Sequence, residues 1–406
     1  MMNVFVIPSW YPSQDYPVTG IMIVEQYEAL CKANTAINIG ISVWGQMDSR
    51  FLLYASDHFK NLLKLTVAKQ SFTIPKAPNL KEYHTPAFTW SRKIFDGNFK
   101  SIVKANLKNF KAFERDFGPV QLIHAQVGHP AGNIALEVSK QTNIPFCLTE
   151  RMGPFPSPYT TNKYGVLTEF HKSPYLASVK NIAVSPFQKR MMEQQWIPNI
   201  VTIPNFVDED YFQPAHRLTK RGSTFTFFAF TRLVEGKGIE DLLLGTKIIL
   251  DTGVDIILRI GGTGPKAKEY IQLAENLRIS KSIEWLGELC REEALQEYQK
   301  CDAFVLTSHY ESFGIVYIEA LACGKPIIAT KCGGPETIVN DLNGLLVEKN
   351  NPLALAEVLQ YMIENISKYN SALIRQDFLN RFSKKVVIPQ LINLYQEVTT
   401  QHKSTP

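Results

Sequence analysis

Residues 308–330 read SHYESFGIVYIEALACGKPIIAT. The apolar run just before them, Ala303–Thr307, reads as a buried strand, and Ser308–Gly314 as the loop above its carboxyl end. Ile315–Cys323 has the pattern of a helix that Gly324 ends, and Pro326–Thr330 reads as the next strand. The unit is therefore strand, loop, helix, strand, the signature of a parallel sheet. Glu311 falls in the loop and Glu319 about one turn into the helix. The amides of Ser312, Phe313, Gly314 and Ile315 form a helix N-terminus suited to phosphate. Carboxylates accept hydrogen bonds from vicinal hydroxyls, so both glutamates suit sugar or ribose rings. A capping acid and an exposed helix face would read the same way.

The same alternation runs through most of the 406 residues. In the first half, strands are expected at Asn3–Ile7, Ile37–Val43, Leu122–Ala125, Phe146–Thr149, Ile182–Ser185 and Val201–Pro204. The second half offers Thr224–Phe230, Asp255–Ile260, Ile283–Leu286, Ala303–Thr307, Pro326–Thr330 and Gly344–Val347. Helical patterns at Gly238–Leu250, Pro265–Leu277, Arg291–Cys301 and Pro352–Glu364 fill gaps between them. Near-continuous apolar runs separated by amphipathic helices mean parallel sheets covered on both faces. Two such sets give an α/β chain of two doubly wound domains, expected at 1–205 and 206–385. A last amphipathic helix, within 386–406, is expected to cross back onto the first domain. Ligands of such sheets bind beyond the carboxyl ends of the strands, so the site is expected in the cleft between the domains.

Two further motifs follow strands. Thr231–Gly238 (TRLVEGKG) places Arg232 and Lys237 five apart beside a helix start. An arginine fork and a lysine point charge there make a diphosphate clamp; a solvated turn with surface charges is the alternative. Ile260–Pro265 (IGGTGP) places Gly262 and Gly264 where backbone can approach a ligand closely, or simply turn. Gly262–Ala267 also matches the dinucleotide pattern G-x-G-x-x-A, although at the second βα turn of its domain rather than the first. Asp208-Glu209-Asp210 is a formal D-x-D that reads as a turn and helix cap. No metal site is expected, and no phosphate-binding G-x-x-x-x-G-K-[ST] occurs.

Six cysteines are scattered without a C-x-x-C pair, which reads as reduced thiols in a cytoplasmic protein. No apolar run reaches the ~18 residues of a membrane span. Met1–Pro8 reads as a first strand rather than a signal peptide. From Arg50 to Arg115 there are 13 Lys or Arg against 4 Asp or Glu, so the basic surface belongs to the first half. Within it, Phe99–Phe117 reads as a helix with Lys100, Lys104, Lys108, Lys111 and Arg115 within roughly 80° of one another. Phe99, Ile102, Val103, Phe110, Phe113 and Phe117 share the other face. Such a helix can rest on anionic lipid at the inner face of the plasma membrane. No nucleic-acid recognition motif accompanies it.

Taken together, the motifs resemble the retaining glycosyltransferases of family 4 (glycosyl transferases group 1), which have the GT-B fold of two Rossmann-like domains. ESFGIVYIE (Glu311–Glu319) resembles that family's E-x7-E signature. Ser9–Pro12 with Val18–Ile21 is similar to its first loop. Ile123–Gln126 and Leu148–Arg151 are similar to its mid-domain strand ends, and Ile203–Asp208 to its linker. The resemblance implies a nucleotide-sugar donor, UDP- or GDP-linked, as co-substrate with no metal required. It implies that Arg232 and Lys237 hold the diphosphate, helped by the amides near Gly314 and by backbone approach at Gly20. Glu319 would hold the ribose, and Glu311 the hydroxyls of the transferred sugar and the positive charge of the transition state. The implied activity is retaining hexosyl transfer to a glycan or lipid-linked acceptor in cell-surface polysaccharide, lipopolysaccharide or capsule synthesis. Two positions depart from the pattern: Gln126 and Arg151 stand where the family usually has histidines. Arg151 cannot act as a base but can steer an anionic acceptor. A nucleotide-sugar-binding protein without turnover, or an NAD(P)-binding oxidoreductase using Gly262–Ala267, are the alternatives.

Overall fold

The computed structural model describes residues 1–13, 16, 19–46, 70–87, 99–215 and 224–403. Val18 of the first-loop motif, much of the basic stretch between Arg50 and Lys93, and residues 216–223 lie outside the described residues. The chain divides into two compact units. Unit 1 comprises residues 1–184, 189–203 and 388–406; unit 2 comprises 185–188 and 204–387. The division falls at Pro204, and the short segment Ser185–Gln188 groups with unit 2. Its tie is visible: the Ser185 hydroxyl donates to the Ser312 carbonyl at 2.5 Å.

Unit 1 contains β1 (Met2–Pro8), β2 (Ile37–Val43), β3 (Phe72–Ala77), β4 (Leu80–His84), β5 (Leu122–Gln126), β6 (Phe146–Glu150), β7 (Lys180–Ala183) and β8 (Ile200–Thr202). They form one sheet in the order β3-β4-β2-β1-β5-β6-β7-β8. Val4 to Ile7 and every residue of β5 and β6 are buried, so both faces of the sheet centre are covered and each strand reads as an apolar run. The sheet is not wholly parallel, a correction to the expectation: β3 pairs antiparallel to β4 at the edge. β3 carries Pro75 and Lys76 and all but its last residue are exposed, so it has no apolar run to announce it. Proline and lysine on an edge also discourage pairing with another chain.

The helix Phe99–Phe117 lays Ile102, Val103, Phe110 and Phe113 against this sheet, with the Phe5 and Phe110 rings edge to face at 5.3 Å. Lys100, Lys104, Lys108, Lys111 and Arg115 are exposed on its other side. Asn106 and Asn109 lie on the buried face, where both bond the Ser42 hydroxyl of β2 at 2.7 and 2.9 Å. The last helix, Lys384–Lys403, returns to unit 1. Its Tyr395 is fully buried with its hydroxyl 2.5 Å from His124 Nδ1.

Unit 2 contains β9 (Phe225–Phe230), β10 (Ile256–Gly261), β11 (Ile283–Gly287), β12 (Ala303–Leu306), β13 (Ile327–Thr330) and β14 (Gly344–Val347). Every pairing is parallel, in the order β11-β10-β9-β12-β13-β14. The order reverses between β9 and β12, which makes their carboxyl ends a topological switch point. A chain of rings, Phe228, Tyr298, Phe304 and Tyr317, fills the core beneath that point at centroid spacings of 5.1, 5.5 and 5.7 Å. The Asp208-Glu209-Asp210 turn closes on the Lys384 ammonium, 2.6 Å from Asp208 Oδ1 and 2.6 Å from Asp210 Oδ2. Among the described residues no helix is long and apolar enough to cross a membrane. All six cysteines are free, five of them buried and Cys290 exposed.

Candidate active site

The loops after β9 and β12 meet above the switch point of unit 2, and backbone contacts fix them together. Gly238 has φ 67°, and a Cβ there would lie 1.8 Å from the Thr307 carbonyl oxygen. The Thr307 hydroxyl donates to the Gly238 carbonyl at 2.6 Å, and the His309 amide to the Gly236 carbonyl at 2.8 Å. His309 Nε2 also lies 2.8 Å from Asp241 Oδ2 on the helix that the first loop opens. This close fit puts the Lys237 ammonium 2.6 Å from Glu311 Oε1. Ser308 Oγ donates to the same oxygen at 2.9 Å. The two side chains are 27% and 15% exposed, so the pair stands at the protein surface, where an incoming anion can compete for the lysine. Sequence spacing foretold neither this direct pairing nor the part of Ser308. The loop length that sets both becomes readable only once Gly238 is seated on Thr307.

Arg232 lies in the same loop as Lys237. Its side chain is exposed and makes no hydrogen bond or ion pair among the described residues. The helix Ile315–Ala322 opens at Gly314, φ 99°, where a Cβ would strike the Tyr317 ring at 2.4 Å. Phe313 is held from behind by Gly334, whose missing Cβ would lie 2.4 Å from its Cα. The start of the helix is thereby fixed beside Glu311, with its first amides lacking partners within the helix.

Glu319 lies on that helix and is engaged elsewhere. Its Oε2 accepts the Tyr298 hydroxyl at 2.7 Å, and the charge of Arg291 acts on it. Burial pushes the Glu319 carboxyl above its usual range, partly offset by the Tyr298 bond and by Arg291. Tyr298 was not singled out by the sequence, because an aromatic on a helix reads as core. It is core, and its hydroxyl is the one polar handle.

Gly262 and Gly264 fit two strand-end loops together. At Gly262, φ 119°, a Cβ would lie 1.8 Å from the Thr231 carbonyl oxygen, and at Gly264 2.2 Å from that of Leu233. The Gly262 amide donates to the Gly287 carbonyl at 2.6 Å. The glycines let the β10 loop press on the β9 loop, so what they position is Arg232. Gly20, in unit 1, is similar: with φ 78° it opens the helix Ile21–Ala33, and a Cβ there would meet the Trp10 carbonyl oxygen at 2.8 Å.

Unit 1 carries Arg151 and Gln126, and they bond to each other. Arg151 Nε donates to Gln126 Oε1 at 3.0 Å, and its other arm reaches Gln26 Oε1. Gln126 Nε2 donates to the Tyr27 hydroxyl at 2.6 Å, which lies 2.9 Å from His124 Nδ1. Burial pulls the Arg151 guanidinium down to about 10, so it stays charged at neutral pH. The adjacent Glu150 is buried: it accepts from the amides of Arg151 and Met152 at 2.8 and 2.6 Å, from Gly128 at 3.1 Å, and from the Tyr175 hydroxyl. His129 lies 3.0 Å through Nδ1 from Asn133 Oδ1.

Burial, and then the Arg151 charge, pulls His124 from 6.5 down to about 3. The native imidazole therefore stays neutral while the unfolded chain takes up a proton below about pH 6.5, so stability falls with pH between those values. Between pH 7 and 5 the loss is about 2 kcal/mol, or about 5 °C in melting temperature. His124→Gln is expected to lack this component in parallel melts. The Glu150 carboxyl, which burial pushes up, acts in the opposite direction in both proteins and cancels in the comparison.

With this geometry in view, residues 215–376 match the model of the glycosyl transferases group 1. The chain carries a group 1 glycosyltransferase domain. It is similar to an uncharacterized glycosyltransferase of Methanocaldococcus jannaschii, 28% identical over 69% of this chain and 76% of that protein. It spans 33% to 58% of the next curated relatives it matches. Sucrose-phosphate synthase from Thermosynechococcus elongatus has the same fold, with a TM-score of 0.75 at 18% identity over 99% of this chain and 100% of that one. So does Anabaena HepE, solved in complex with UDP-glucose, with a TM-score of 0.69 at 18% identity over 98% and 100%. The fold of the chain is GT-B.

Proposed function

We propose that this chain is a retaining glycosyltransferase of family 4 that moves a hexose from a UDP- or GDP-linked donor to a saccharide or lipid-linked acceptor in cell-surface polysaccharide synthesis. The observation that carries the reading is the Lys237–Glu311 contact at the switch point of a group 1 domain, which sets a cation and a carboxylate side by side. Lys237 and Arg232 take the donor diphosphate, with the amides at Phe313–Ile315 adding the helix dipole. These charges offset the departing diphosphate without a metal ion. Glu319 holds the ribose, and Glu311 the sugar hydroxyls and the charge of an oxocarbenium-like transition state. Retention follows if the leaving phosphate accepts the acceptor's proton on the face it departs from. Arg151 steers an anionic acceptor group. The exposed lysine face of Phe99–Phe117 rests on anionic lipid at the cytoplasmic side, worth about 1 kcal/mol per cation near the surface.

Thermal melts with UDP, GDP and ADP sugars test the reading, because a ligand that binds only the native state raises its melting point. At a hundred times the dissociation constant the gain is about 2.7 kcal/mol, and one base is expected to stand out. A panel with no shift, or a shift with NAD(P) alone, goes against it. The Gln126–Arg151 bond supports a second reading, a donor-binding protein without turnover, because both replaced positions are engaged with each other. Donor binding with neither transfer nor hydrolysis across a broad acceptor set would select it.

A further inference from the structure

We propose that the Lys237–Glu311 pair makes the site select a diphosphate that still carries its sugar over the free diphosphate left after transfer. This rests on the donor-site reading above. Glu311 Oε1 receives two donors, Lys237 Nζ at 2.6 Å and Ser308 Oγ at 2.9 Å. The acid cannot retreat with its backbone. Its amide donates to the Cys332 carbonyl at 3.4 Å and its carbonyl accepts from Gly334 at 2.7 Å, so it is bridged to the strand end beyond β13. Gly334 is itself pressed on Phe313.

A diphosphate that takes up the lysine therefore leaves a fixed carboxylate beside the phosphate and short of a donor. A sugar nucleotide brings replacements, because its hydroxyls can donate to Glu311 as the lysine turns to the phosphate. A free nucleoside diphosphate has no hydroxyl at that end and sets a further negative charge against the carboxylate. Glu311 thus acts with opposite sign on the two ligands, holding the donor and expelling the product. The lysine supplies attraction to both, and the acid supplies the difference.

Calorimetric titration of wild-type protein and Glu311→Gln with UDP, UDP-glucose, GDP and GDP-mannose tests this, with melting temperatures checking that both are folded. Glutamine keeps the shape and removes the charge. Free diphosphate is expected to bind Glu311→Gln about tenfold tighter than wild type, a modest share of the cost of juxtaposing like charges, while the sugar nucleotide binds no tighter. Glu311→Ala, should the glutamine variant misfold, is expected to tighten the free diphosphate in the same direction. If wild type binds these ligands and both kinds shift together, or neither moves, the selection falls and the donor site stands. If none of the four binds either protein, the donor-site reading falls and takes the selection with it.

Discussion

Lys237→Ala is expected to weaken binding of the sugar nucleotide about a hundredfold, at the strong end of what a charge-assisted hydrogen bond contributes. The effect is large because the substitution acts twice. It removes the cation that meets the diphosphate, and it leaves the charge of Glu311, 15% exposed and held by Ser308, beside the phosphate with no cation to offset it. The fold is expected to persist, with the melting temperature changed by about 4 °C or less, since partly exposed pairs contribute about 0.2–1 kcal/mol. Adding Glu311→Gln to Lys237→Ala should then recover more affinity for free diphosphate than the roughly tenfold that Glu311→Gln gains in wild type, a non-additivity that separate contacts would not show. Calorimetry with the nucleotide picked out by the melts reads both effects. Affinity unchanged in Lys237→Ala, with the protein folded, would place the diphosphate elsewhere.

Much of this arrangement could be read from the residues. Parallel strands buried on both faces are written as apolar runs, so β9 to β14 and their order along the chain were visible. The placing of Arg232, Lys237 and Glu311 on strand-end loops followed from the pattern, whereas the sheet order that puts the switch point between β9 and β12 came only with the fold. The antiparallel edge β3–β4 was not visible, because an exposed strand such as Phe72–Ala77 has no hydrophobic period and its Pro75 argues against a strand.

The site's inner contacts were legible only in part, for a reason seen at Gly262. A glycine in a strand-end loop signals close backbone approach, but not to what. Here the Thr231 carbonyl is one such group, and the sequence did not name it. Glu319 shows the same limit: its place on the helix could be read, but its bond to Tyr298 depends on how the helix Arg291–Lys300 lies in the fold. Arg151 and Gln126 were recognisable as departures, yet only geometry shows that they bond to each other. The exposed cations of Phe99–Phe117 were fully readable, since helical period alone assigns them a face.

Gly262→Ala is expected to lower the melting temperature by about 10 °C. Two costs combine. At φ 119° a side chain is strained by roughly 1–3 kcal/mol. The new Cβ would also lie 1.8 Å from the Thr231 carbonyl oxygen, backbone that cannot swing aside as a side-chain tip would. Together about 4 kcal/mol is expected, converted at 2–4 °C per kcal/mol for a unit of this size. Gly236→Ala, in the neighbouring loop, is the control. It has φ 83° but nothing within 4 Å of its Cβ position, so it bears the strain alone, about 1 kcal/mol. The difference between the two variants in thermal or urea denaturation measures the contact between the loops. Because Thr231 precedes Arg232, the Gly262 variant should also bind the sugar nucleotide less tightly at temperatures where it is fully folded. Equal losses of stability in both variants would mean that the β10 loop yields easily, and that Arg232 is positioned by something other than this contact.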